Sequence, residues 1–127
     1  MLFCAIARAR PLMHCFGRVH QAWGAKTVTW RHDGAIEYLP HMTAIDWEKS
    51  EVLQNVAKLK AQRGEAEENE HIRRQLDELD ARGYCYAAPE LRRGKQTLFV
   101  NASVRRAESE AQQLPWLVEL DIPRNET

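Results

Sequence analysis

The feature that most constrains this chain is the way it sorts its charge. Residues 1–32 hold five basic side chains, Arg8, Arg10, Arg18, Lys26 and Arg31, and no acid. The carboxylates collect later, in Glu65, Glu67, Glu68 and Glu70 and again in the C-terminal third. The chain as a whole is neutral, with 18 basic and 18 acidic residues. Segregated charge of this kind sets which surfaces meet protein partners, import machinery or nucleic acid.

A length of 127 residues predicts one domain, residues 1–127, able to bury a core without disulfides or a metal. Its 44% hydrophobic and 28% charged residues are ordinary for a globular protein. The charge-free stretches 38–45 and 111–118 are too short to span a bilayer, so no membrane span is expected. Cys4, Cys15 and Cys85 make an odd count. The apolar run 2–7 is broken by Arg8 and Arg10 and does not read as a secretory signal. Free thiols in an intracellular, reducing compartment follow. Sequons begin at Asn101 and Asn125, without meaning in a chain that is not secreted.

Residues 1–25 leave two readings open. Mitochondrial import sequences are amphipathic, Arg-rich and poor in acids, as this segment is. They are also rich in Ser, whereas the first hydroxyl residue here is Thr27. The segment is either an import sequence retained in the protein or a basic first strand and helix of the fold. The expected compartment is mitochondrial in the first case and otherwise cytoplasmic.

Along the chain, the apolar run 2–9 reads as a first strand ended by Pro11. Leu12, Phe16, Val19 and Trp23 recur at helical spacing, with Pro11 suited to the start and Gly24 to the stop. Residues 26–32 alternate as a strand, Asp33-Gly34 is a hairpin signal, and 35–39 supplies the return, closed by Pro40. Asp46 reads as the N-cap of a helix to about Gln62, burying Val52, Val56 and Leu59. A second helix is expected over 65–82, with Ile72, Leu76 and Leu79 as a thin stripe, Gly83 as a left-handed cap and Tyr84 folding back onto Leu79. Residues 84–88 and 97–103 read as two strands of a hairpin around a basic loop. A short charged turn or helix over 105–113 precedes a last strand over 116–122, and 123–127 is a frayed tail. The sum is an α+β domain with a largely antiparallel sheet and a central pair of charged helices.

The chemistry-bearing residues do not assemble into a motif. Cys4, His14, Cys15, His20 and Cys85 lack the C-x2-C spacing of a zinc site, and no metal or cofactor is expected. Cys85 follows the C-terminal end of a helix, the wrong pole of the dipole for a thiolate nucleophile, even with His71 or His32 as a base. Asp77, Glu78 and Asp80 read as a solvated helix face, with Arg73 and Arg74 paired to Asp77 and Glu78 four residues on. The scattered glycines exclude a phosphate-binding loop.

The charge pattern therefore points to a non-catalytic accessory subunit of a larger assembly, of respiratory-chain or ribosomal type. Its contacts are expected at Arg8, Arg10, Arg18 and Trp23 and at Arg92, Arg93, Lys95, Arg105 and Arg106, with other protein subunits as partners. A second reading takes helix, strand, basic loop and strand as a winged-helix order, with the loop touching RNA or DNA phosphates. Against base reading, the supposed recognition helix begins with Glu67, Glu68 and Glu70. A third reading makes the acidic face Glu65, Glu67, Glu68 and Glu70 the contact of a small inhibitor or immunity-type protein for one basic target.

Overall fold

Phe3, Ile6 and Ala7 fall at i, i+3 and i+4, and in the computed structural model they form the inner stripe of a helix, α1 (Leu2–Ala9), not of a strand. The structure describes residues 2–17, 22–31, 44–103 and 113–122. Pro11 does end the element, and the chain then enters β1 (Met13–Phe16) where a helix was expected. Gly24, expected as a helix stop, instead opens β2 (Gly24–Trp30). Its φ of 140° brings it so close to β3 (Ile45–Asn55) that a Cβ would stand 2.2 Å from the Gln54 carbonyl oxygen. The hairpin expected around Asp33-Gly34, the charged segment 105–112 and the tail 123–127 lie outside the described residues.

The segment after Asp46 is also strand rather than helix. β3 is an edge strand whose pairing with β2 slips twice. At the larger slip, residues 47–50 leave the ladder. There Ser50 donates to the Asp46 carbonyl and accepts from the Thr29 amide, and the Lys49 amide donates to the Asp46 carboxylate. The helix starts only at α2 (Val56–Glu65), capped by Asn55, whose side chain accepts from the Lys58 amide at 2.7 Å. The second helix is likewise shorter than expected: α3 (Glu70–Arg82) is capped by Asn69 after a turn at 66–68. Gly83 is the left-handed cap, φ 79°, donating to the Leu79 carbonyl at 2.9 Å. Tyr84 takes the Arg82 guanidinium over its ring at 4.8 Å.

β4 (Cys85–Ala87) and β5 (Gln96–Asn101) form where strands were expected but do not pair with each other. β4 runs parallel to β6 (Trp116–Val118), which is shorter than the expected last strand. β5 enters a four-stranded sheet of order β1-β5-β2-β3, antiparallel except for the β1–β5 pair. The architecture is a single α+β domain with a largely antiparallel sheet.

Three packed groups hold it together. On one face of the large sheet, α1 covers Val28, Trp30 and Phe99. Within that group Trp30 Nε1 donates to Thr97 Oγ1 at 2.9 Å, and this hydroxyl donates on to the Pro11 carbonyl at 2.6 Å. On the other face, Ala25, Leu98 and Val100 meet Leu53, Leu91, Trp116 and Val118. At the Gly24 end, Leu59 of α2 and Leu76 of α3 pack around Trp23 and Cys85. No helix among the described residues is long and apolar enough to cross a membrane.

Candidate functional site

The two basic regions that are far apart in sequence meet at one end of the large sheet. Arg10 closes α1 with φ 46°, a left-handed position usually given to glycine, and its amide donates to the Ile6 carbonyl at 2.7 Å. The side chain accounts for the exception. Its guanidinium donates to three carbonyls: Ala7 at 3.3 Å, Gly94 at 3.3 Å and Arg31 at 3.0 Å. It also lies over the Trp30 ring, 5.8 Å from the centroid. The roughly 1–2 kcal/mol cost of a left-handed residue is offset by these charge-assisted bonds. Arg10 is thus a half-buried clasp joining α1, the end of β2 and the loop before β5.

The loop is itself well tied. The Arg92 carbonyl accepts from the amides of Lys95 and Gln96, both at 3.0 Å, and Gly94 supplies the positive φ of 77° between them. Gln96 accepts from the Arg92 amide and donates to Thr29 Oγ1, while the Lys95 carbonyl accepts from the Trp30 amide at 2.9 Å. Arg92, Arg93 and Lys95 are exposed on this loop and Arg8 is exposed on α1, and none is in an ion pair with a described residue. An open cleft of about 710 Å³ beside the loop is lined by Arg92, Lys95 and Lys49 together with Glu90 and Asp121.

The remaining expected contact residues lie elsewhere. Trp23 is 1% exposed, its Nε1 donating to the Leu114 carbonyl at 3.0 Å, and its ring offers a partner no surface. Arg18, Arg105 and Arg106 fall outside the described residues. Glu65, Glu67, Glu68 and Glu70 are exposed at the turn between α2 and α3. That helix pair packs around Trp23, next to Gly24, whereas the basic loop bonds to Trp30 at the other end of β2. Six strand steps, about 20 Å, separate those two ends. The basic loop and the helix pair that carries the acidic turn thus lie toward opposite ends of β2.

The residues weighed for chemistry are dispersed. Among the described residues no three of His, Cys, Asp and Glu gather to hold a metal. His14 stacks on Phe16 at 5.5 Å and meets the edge of Phe99, while its neighbour Cys15 is exposed. Cys85 is buried, and burial pushes its thiol up to about 11, partly opposed by Arg82, so it is no thiolate at neutral pH. Tyr86, exposed on the same strand, donates to Glu119 at 2.7 Å, a bond that raises its phenol. Asn101 of the first sequon is a strand residue, 1% exposed, whose side-chain oxygen accepts from the amide and hydroxyl of Ser103.

Two local expectations do not hold. The winged-helix order fails because its wing would be a β4–β5 hairpin, and those strands belong to different sheets. The expected pairing of Arg73 with Asp77 gives way to donation to the Ala66 and Glu67 carbonyls at 3.1 Å, which closes the α2–α3 turn. Among the described residues the ion pair is Arg63–Asp80, at 3.2 Å between the two helices. The clasp role of Arg10 left no signal in the sequence, because its partner Gly94 is 84 residues away. Comparison with protein-family models, with curated proteins and with solved structures finds nothing that matches the chain.

Proposed function

We propose that the protein is a non-catalytic interaction module, an accessory subunit that docks on an acidic protein surface through its basic end. The observation that supports this reading most is the Arg10 clasp. By fixing α1 to the 92–95 loop through the Gly94 and Arg31 carbonyls, it makes one preorganised surface of two basic segments. Arg8, Arg92, Arg93 and Lys95 are left outward-facing on it. Preorganised charge of this kind raises association rates and selects partners more than it adds affinity. The acid-free residues 1–32 fit a mitochondrial assembly as the setting.

The test is capture of partners from the native source by the tagged protein and by an Arg92→Glu, Arg93→Glu, Lys95→Glu variant, with low-salt and high-salt washes. A stoichiometric protein partner held by the wild type and lost by the variant is the expected result. Equal recovery by both proteins removes the reading, and nucleic acid released by salt transfers the surface to phosphate binding. Loss of the partner on changing Glu67, Glu68 and Glu70 to Gln, with the basic loop intact, assigns the contact to the acidic turn instead.

A further inference from the structure

α1 leaves half of its sheet face uncovered. Eight residues of helix make a footprint of about 12 by 10 Å, while four strands present a face about 14 Å wide and, along β2, about 20 Å long. The covered half holds Val28 and Trp30, and Phe99, 9% exposed, belongs both to that packed group and to the uncovered half. The other half is a groove of about 340 Å³ that crosses all four strands, from Phe16 of β1 over Phe99 and Lys26 to Val52 of β3. That volume is at the lower end of what small-molecule sites occupy, and the lining is mostly apolar, as theirs is.

The polar lining of this groove is informative in what it leaves available. Gln54 is committed at both ends: its oxygen accepts from the Asn55 amide and its nitrogen donates to Gln62. The Asn55 oxygen caps α2, and the Asn101 oxygen holds Ser103. Lys26 is the one ionisable residue among the described residues of the lining. Its ammonium stands over the Trp47 ring, 5.6 Å from the centroid, with no carboxylate or hydrogen-bond acceptor among the described residues. An apolar groove whose described cation lacks a carboxylate partner is complementary to a ligand with an apolar body and a single negative charge.

We infer that this groove binds a small organic carboxylate, its aliphatic or aromatic body laid across Phe16, Phe99 and Val52 and its carboxylate on Lys26. The site is separate from the basic end, so its occupancy does not depend on the interaction reading.

Octanoate and 1-octanol, which share one apolar body and differ in charge, are titrated separately into the 15N-labelled protein while amide shifts are followed. Octanoate is expected to shift the amides of Lys26, Val52, Gln54 and Phe99 and to bind about tenfold tighter than octanol, the size of one charge-assisted bond at a half-exposed site. Lys26→Met is expected to bring the two probes to equal affinity. Val52→Trp, which fills the groove from an exposed position, is expected to weaken both at least about tenfold. The Arg92, Arg93, Lys95 variant should bind octanoate as the wild type does. Equal affinity of the native protein for the two probes, shifts centred outside the groove, or no shifts at all would overturn the assignment.

Discussion

The large sheet and the α2–α3 pair are built on different terms. β5 lies between two strands and buries five of its six residues, so both faces of the sheet contribute to its stability. The helix pair buries Leu59 from one helix of ten residues and Leu76 from another of thirteen. What holds the helices is mostly local: the Asn55 and Asn69 caps, the Gly83 cap, the Arg63–Asp80 pair and the Arg73 bonds across the turn. A region with few buried side chains and many exposed hydrogen bonds opens at lower free energy than the core beside it. The sheet is therefore the stable frame, and the helix pair, with its acidic turn, is the part free to loosen.

Truncations at matched leucines test that contrast most severely. Leu98→Ala, at a side chain with no exposure, is expected to cost about 4 kcal/mol in denaturant unfolding. Gly24→Ala comes next, at about 3 kcal/mol, because its Cβ meets the Gln54 carbonyl of the neighbouring strand and the φ of 140° disfavours any side chain. Leu76→Ala should cost about 2 kcal/mol, since Leu76 keeps 7% exposure and lies on a helix with no other buried residue, which can relax into the space. Equal losses at Leu98 and Leu76 would mean the helix pair is as much core as the sheet. Asn69→Ala is expected to cost about 1 kcal/mol through loss of the cap bonds to the His71 and Ile72 amides, and to accelerate hydrogen exchange in α3 before that in β5.

The same contrast governs what could be read from the sequence. β2 was legible because Val28 and Trp30 alternate with threonines, and Gly83 because only a left-handed position explains a glycine after Arg82. β3 was not legible. Its two slips against β2 destroy the period of two, and Val52, Val56 and Leu59 happen to fall at helical spacing across a strand–helix junction. α1 is too short for its spacing to outweigh a compact apolar composition. The basic end was visible as charge, since exposed cations need no tertiary information. The Lys26 groove was invisible, because Phe16, Lys26, Val52 and Phe99 come from four strands that only the strand order β1-β5-β2-β3 brings together. The parallel β4–β6 pair was missed for a similar reason: a hairpin is the short-range guess, and the 88–95 loop instead carries the chain from one sheet to the other.

The effect that is absent at neutral pH concerns Cys85, which joins the end of α3 to the core around Trp23. Burial raises its thiol from the ordinary 9.0 to about 11 in the folded protein. Between those values the unfolded chain has released a proton that the folded chain retains, so stability falls as pH rises, by at most about 1.4 kcal/mol per pH unit. Below pH 9 the neutral thiol is present in both states and the contribution is fully retained. Tyrosines and lysines titrate in the same range, so the quantity to measure is the difference in unfolding free energy between the wild type and Cys85→Ala from pH 8 to pH 11. That difference should be flat up to about pH 9 and then shift steadily in favour of the variant. A difference independent of pH throughout would mean that water reaches the thiol in the native state.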